Sequence, residues 1–456
     1  MRPEIIFENQ QKYYNTGKTK AVASRKEQLR KLRNAIRSNE EELYQAVAKD
    51  FGKSSFETYA TELGLLYQEI KKSIKRVHAW SSVKRVRTNW PNLPGKSYLK
   101  PEPYGISLII GTWNYPFLLT LQPLVSAIAA GNTAVIKPSE LAPNSSAMIA
   151  KLINNTFDPD YIFVAQGDAE VAMQWLKLPF DKIFYTGSPE VGRYVMKAAA
   201  DHLSSVTLEL GGKSPAIVCQ SANIQTAARR IAWAKFLNAG QTCIAPDYVL
   251  IHEHLKEEFI GLVIAEIYKN QGEDPRDADT YTRIINQRHL LRLQQLIDTS
   301  KVRTGGRVEV ENNYLEPTVM DDVSFKDPVM QEEIFGPVLP VITFSQCHEV
   351  IQKVNSLPKP LALYVFTKDK AERMHILDQI SFGGGAVNDA MMHITNPYLP
   401  FGGVNHSGMG AYHGKAGFDA FTHYKSILQK NPYWELKLKY PPYSKFKMKL
   451  LRRYFE

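Results

Sequence analysis

Cysteine is scarce in this chain: 456 residues contain three, too few and too widely spaced for a disulfide framework. That scarcity points to a reducing compartment, so a cytoplasmic protein is expected. No apolar run approaches the ~18 residues of a membrane-spanning helix. The first twenty residues, MRPEIIFENQQKYYNTGKTK, have no basic segment followed by an apolar core and no small-residue cleavage site, unlike a secretory signal. The eleven histidines are scattered, and no His, Cys or acidic pair has zinc-ligand spacing, so no metal is expected. Repeats, low-complexity tracts and nucleic-acid motifs are also missing. The G-x-G-x-x-G dinucleotide fingerprint does not occur.

What is present reads as an ordinary globular composition, 44% hydrophobic and 22% charged. The length favours two or three domains. The net charge of +10 is uneven. Residues 71–100 carry nine Lys/Arg and no acid, and the last 26 residues carry seven Lys/Arg against two Glu. A basic tail with interleaved aromatics suits either bulk solvent or an anionic lipid surface; weak membrane-surface contact is the sharper of the two expectations. The end, KFKMKLLRRYFE, fits a helix with Tyr443, Phe446, Leu450 and Tyr454 on one side, or a strand by alternation, and periodicity leaves both open.

Residues 22–80 read as amphipathic helices, with Leu29, Leu32, Ile36 and Leu43 near helical spacing and Gly52 as a stop. After a Pro/Gly-rich connector at 83–103 the pattern changes. Ile106–Ile110, LLTLQPLVSAIAA and TAVIK form strand, helix and strand, a βαβ unit. The alternation continues through YIFVAQG, EVAMQWLK, KIFYTG and SSVTLELGG. These predict a doubly wound, Rossmann-like α/β domain over 1–210. PAIVC, a helix through IQTAARRIAWAKF, DYVLIHEH, PVLPVITF, LALYVFT and GGAVNDA predict a second α/β domain over 211–415. Residues 416–456 remain as a strand and the basic tail. Two such domains bracket a cleft at the carboxyl ends of their strands.

Several residues stand at that cleft. Gly187 ends a strand, Ser188 is an N-cap and Pro189 opens a helix, an arrangement suited to an anion or to an ordinary strand–helix turn. Lys137 and Glu140 follow another strand, where an acid can meet ribose hydroxyls or simply solvent. Glu209 ends a strand beside two glycines, as a cleft carboxylate or an ion-pair partner. Cys243 follows a helix terminated at Asn238-Ala239-Gly240 and could be a nucleophile or a small packing residue. Cys219, at a strand end, and Cys347 read as structural. Asn114 sits next to a helix start, where an amide can donate to an oxyanion. Glu333 and Phe335 precede Gly336-Pro337.

Taken in order, WNYPF, IKPSE, YTGSPEVGR, VTLELGGKSP, NAGQTCIAPDY, EEIFGPV and LPFGGVNHSGMG resemble the aldehyde dehydrogenase superfamily, and within it the class 3 group of fatty and aromatic aldehyde enzymes. The resemblance spans nearly the whole chain except the last ~25 residues. It implies a cofactor domain, a catalytic domain and a small oligomerisation segment, involving 83–103 and AFTHYKSIL, in a homodimer. It further implies Cys243 as nucleophile, Glu209 as general base, and Asn114 with the Cys243 N–H as oxyanion donors. Lys137 and Glu140 would meet the adenosine ribose of NAD, Gly187 and Ser188 the pyrophosphate, and Glu333 and Phe335 the nicotinamide ribose. NADP stays open, because class 3 enzymes often take both. Trp233, Thr395, Phe401 and His413 would line the aldehyde pocket. Glu209 favours hydrolysis to a free acid over transfer to coenzyme A. Two other readings of the residues survive: a non-redox cysteine hydrolase or acyltransferase, and a non-catalytic binding protein on the same fold.

Overall fold

A computed structural model describes residues 2–276, 281–434 and 436–456. Five parallel strands, Ile106–Ile110, Thr133–Lys137, Ile162–Val164, Lys182–Thr186 and Ser205–Glu209, form most of a six-stranded sheet. The chain starts at the sheet centre with Ile106–Ile110 and builds outward through the next two strands. It then returns to the other side for Lys182–Thr186 and Ser205–Glu209. Strand order therefore reverses between Ile106–Ile110 and Lys182–Thr186, which opens a crevice beyond their carboxyl ends. The sixth strand, Gly408–Met409, comes from far along the chain and pairs antiparallel with Ser205–Glu209.

The helix Pro116–Ala130 explains why this sheet is stable. All of its residues are buried, as expected of a helix that is apolar on every side. It lies under the N-terminal helices Val22–Ser38 and Gly64–Trp80. Leu29, Leu32, Ile36 and Leu43, the residues at helical spacing, are fully buried, and Gly52 ends its helix in the left-handed region (φ 71°). The second sheet has seven strands, with Val338–Phe344, Tyr248–His252, Pro215–Val218, Ala362–Phe366 and Gly384–Val387 running parallel in that spatial order.

The connector at 83–103 is not simply a linker. Lys96–Pro103 is a strand paired along its whole length with Thr422–Gln429, and Lys84–Val86 forms the other edge of this three-stranded antiparallel sheet. At the tail, the two open readings resolve to a helix, Lys445–Phe455, whose first turn is capped by Ser444 accepting from Lys447 N–H. Tyr443, Leu450 and Tyr454 face a groove against Trp90, but Phe446 does not share that side and is 70% exposed. Among the described residues no strand pairs with KFKMKL, and its backbone bonds close within the helix instead. Among the described residues, no helix is long and apolar enough to cross a membrane.

Candidate active site

Beyond the switch point lies a cavity of about 330 Å³. Its walls come from segments distant in sequence: Thr112–Asn114 after one central strand, Thr186–Ser188 after the other, Glu209–Gly211, Cys243, Glu333 and Phe335, Phe401 and Tyr412. Trp113 and Phe335 meet edge to face with ring centroids 5.4 Å apart, giving one wall an aromatic surface. Cys219 is fully buried at a strand end, and Cys347 sits at the start of a helix; neither borders the cavity.

The loop that delivers Cys243 is conformationally expensive. Helix Ile224–Phe236 stops, and Asn238, Ala239 and Gly240 follow one another with φ of 54°, 50° and 71°. Left-handed backbone costs a non-glycine residue about 1–2 kcal/mol. Hydrogen bonds within the turn offset that cost. Asn238 Nδ2 donates to the carbonyls of Asn114 and Gln241 (3.0 and 3.1 Å). Gln241 Nε2 donates to Asn238 O and Arg283 O, and Gln241 Oε1 accepts from Ile285 N–H. A Cβ on Gly240 would stand 2.2 Å from the Gly336 carbonyl, so only glycine fits between the Cys243 loop and the Glu333–Gly336 turn. Asn238 and Gln241 lie inside the quoted NAGQTC stretch, but the partners that make them important come from segments far away in the chain.

Asn114 is buried, and its Nδ2 donates to Gln241 O at 3.0 Å, which ties it to the residue two before Cys243. Glu209 is buried with neither carboxylate oxygen hydrogen-bonded, and burial pushes its carboxyl well above the usual range. Glu333 packs so closely on Gly211 that a Cβ there would lie 1.9 Å from Oε2. Burial first, and then Asp247, push the Glu333 carboxyl up to about 8, against the pull of the Gly212 N–H, Lys213 and Arg292. Half-buried Cys243 lies close enough to both acids to feel them. Its thiol is pushed up by burial, then by Glu333, then by Glu209. Three acids thus share one poorly solvated pocket, and ionising any of them makes the others harder to ionise.

The remaining sequence-selected residues divide. Gly187 and Ser188 line the cavity; Ser188 caps helix Pro189–His202 by accepting from Val191 N–H. Lys137 and Glu140 lie off it, at the end of the neighbouring strand, where Lys137 Nζ donates to Glu140 Oε2 at 2.9 Å. Of the four pocket candidates only Phe401 forms a wall. His413 stacks on Phe401 (centroids 5.2 Å, planes 14° apart) without bordering the cavity. Trp233 is exposed and Thr395 half-buried, and neither borders the cavity. Among the described residues, no group of three or more His, Cys, Asp or Glu gathers to hold a metal ion.

A cysteine and a buried carboxylate facing one cavity beyond the switch point of a doubly wound sheet are the setting of an enzyme site, and the family pattern agrees. The chain belongs to the aldehyde dehydrogenase family, whose sequence pattern matches residues 4–427, and within it to the class 3 group. It is 46% identical over 455 residues, 99% of each chain, to 4,4'-diaponeurosporen-aldehyde dehydrogenase of Staphylococcus aureus. It is 42% identical to the rat enzyme named aldehyde dehydrogenase, dimeric NADP-preferring, covering 94% of this chain and 95% of that one. The substrate-bound structure of Staphylococcus aureus AldH superposes with a TM-score of 0.97 at 46% identity, over 99% of both chains. The protein is therefore an enzyme that oxidises aldehydes to carboxylic acids with NAD(P). This sets aside the non-redox hydrolase and the non-catalytic binding protein.

The residues present fit a dinucleotide. The crevice stands at the reversal of strand order, and the glycines at its rim leave backbone where a side chain would intrude. A Cβ on Gly187 would lie 2.2 Å from Tyr185 Oη, and buried Thr186 Oγ1 at the same strand end has no hydrogen-bond partner.

Proposed function

We propose that the protein oxidises medium- or long-chain aliphatic or aromatic aldehydes through a covalent adduct on Cys243. The supporting observation is the joint presence of Cys243, Asn114 and an unpartnered Glu209 around one aromatic-walled cavity. The Cys243 thiolate adds to the aldehyde carbon, and Asn114 Nδ2 with the Cys243 N–H stabilises the oxyanion, a donor of this kind being worth roughly 3 kcal/mol. Bound NAD(P) supplies the hydride acceptor. After oxidation the substrate is a thioester on Cys243. Glu209 takes a proton from water, the water attacks the thioester, and acid and free thiol separate.

For the cofactor, Lys137 and Glu140 hold the adenosine ribose, Gly187 and Ser188 the pyrophosphate, and Glu333 and Phe335 the nicotinamide ribose. The carboxylate of Glu140 favours a free ribose hydroxyl, hence NAD, while NADP remains a second cofactor. An aldehyde panel that includes 4,4'-diaponeurosporen-aldehyde, the compound in the Staphylococcus aureus relative's name, tests this reading. Reduced nicotinamide should form faster with apolar than with small polar aldehydes, and with NAD ahead of NADP. Equal rates across the panel would sink the apolar assignment.

The proposed division is 1–210 for cofactor, 211–415 for catalysis, and 416–456 with 83–103 for assembly of a cytoplasmic homodimer; the two large sheets support it, apart from Gly408–Met409, which joins the first sheet. The exposed edge strand Lys84–Val86 supports that assembly role, and the three free cysteines support the compartment. A peripheral lipid contact is a second reading, supported by helix Lys445–Phe455. It carries Lys445, Lys449, Arg452 and Arg453 with Phe446 and Phe455 largely exposed. The protein should co-sediment with phosphatidylglycerol vesicles at low salt and release at high salt. No binding at low salt overturns the contact.

A further inference from the structure

Beneath the Cys243 loop lies a set of buried groups that the chemistry above leaves unused. Lys53 and Glu62 form an ion pair at 3.0 Å with both side chains fully buried. Glu62 belongs to a single wide turn, Tyr59–Leu63, of π-helical form. Its second oxygen, Oε2, accepts from the N–H groups of Phe117 and Leu118 (2.9 and 3.2 Å). Those are the second and third residues of helix Pro116–Ala130, whose own N-cap, Tyr115, offers no side-chain cap. The carboxylate therefore serves as the missing cap and sits at the positive end of the helix. Lys53 Nζ lies 4.0 Å from the centre of the Tyr115 ring, on its face. The Tyr115 hydroxyl in turn shares a 2.6 Å hydrogen bond with Thr242 Oγ1, one residue before Cys243.

Asn114 and Tyr115 thus grip consecutive residues. Asn114 holds Gln241 through its amide, and Tyr115 holds Thr242 through its hydroxyl. We propose that Tyr115, braced by the buried Lys53–Glu62 pair, is a positioning residue that sets Cys243 against the oxyanion donor Asn114. The proposal rests on the assignment of Cys243 and Asn114 to the chemical step. The loop it steadies carries two non-glycine left-handed residues and would relax if the grip were released. A misplacement of a fraction of an ångström at the nucleophile costs rate in the chemical step and leaves dinucleotide affinity alone.

The test is a double-mutant cycle between Tyr115→Phe and Thr242→Val, with Lys53→Met/Glu62→Gln as a companion that removes both charges together. Each single variant should lower kcat about tenfold, the scale of one hydrogen bond acting on a reacting geometry, with KM for NAD unchanged. The double variant should lose no more than either single, because both delete the same bond. The companion should show a kcat loss of similar size with unchanged KM for NAD and a cooperative melt. Wild-type kcat in Tyr115→Phe, or multiplicative losses in the double variant, would overturn the grip. An unchanged kcat in the companion would overturn the brace. Failure of the underlying reading shows separately, as turnover in Cys243→Ala.

Discussion

Replacing Cys243 with alanine is expected to lower steady-state formation of reduced nicotinamide by roughly 10⁴-fold or more, the scale on which loss of a covalent nucleophile acts. The reasons are structural. Neither other cysteine borders the cavity, so no second thiol stands ready to replace it. The fold should survive: the Cys243 side chain faces a cavity that already exists, so its truncation leaves little new void. NAD binding, followed by quenching of protein fluorescence, should therefore persist while turnover vanishes. Steady-state activity above a tenth of wild type would falsify the covalent route.

Glu209→Gln separates the two halves of the reaction. Capture of the aldehyde and its oxidation need the thiolate, while release of the acid needs a base for water. The variant should therefore yield a burst approaching one reduced nicotinamide per site, then turn over slowly by about 10²-fold or more. No burst at all, or a burst followed by full turnover, would remove Glu209 from the base role. The pH profile gives a second reading. Burial holds the wild-type carboxyl well above its ordinary value of 4.5, and a base works only when ionised. Wild-type kcat should rise as pH rises through this elevated value, and Glu209→Gln should lose that limb. Stability runs the other way. The folded state keeps this proton after the unfolded chain has lost it, so the stabilisation present below pH 4.5 is lost as pH rises toward the folded value. Relative to wild type, Glu209→Gln should become progressively more stable above pH 4.5, as read by melting temperature.

Local chemistry made much of this legible in one dimension. Strand, helix and strand over Ile106–Lys137 are short-range patterns of period and turn residues, and the strands and helix form where the pattern places them. Cys243, Glu209 and Asn114 stand out because each sits at an element end beside glycine, proline or a helix stop, where side chains reach a cleft. Tyr115, Thr242 and Gln241 lie in the same quoted motifs but carry no local signal of their own. Their importance is a matter of partners: Thr242 for Tyr115, and Asn238, Arg283 and Ile285 for Gln241. Lys53 and Glu62 carry no sequence signal, since charged residues on amphipathic helices are normally solvated and nothing local marks these two as fully buried.

By itself, then, the sequence determined the α/β class, the family and the residues able to react, because periodicity, capping and motif chemistry are written over a few neighbouring positions. Tertiary structure alone decided which of them meet. The reversal of strand order opened a crevice beside Asn114 and Gly187, the packing of the second sheet's loops brought Cys243 and Glu333 to the same cavity as Glu209, and Trp233 and Thr395 stayed outside it. Pairing between Lys96–Pro103 and Thr422–Gln429 turned a connector into a sheet. The alternating tail folded as a helix capped by Ser444, its apolar side toward Trp90. Each outcome depends on contacts between segments far apart in the chain, whose free energy no local window contains.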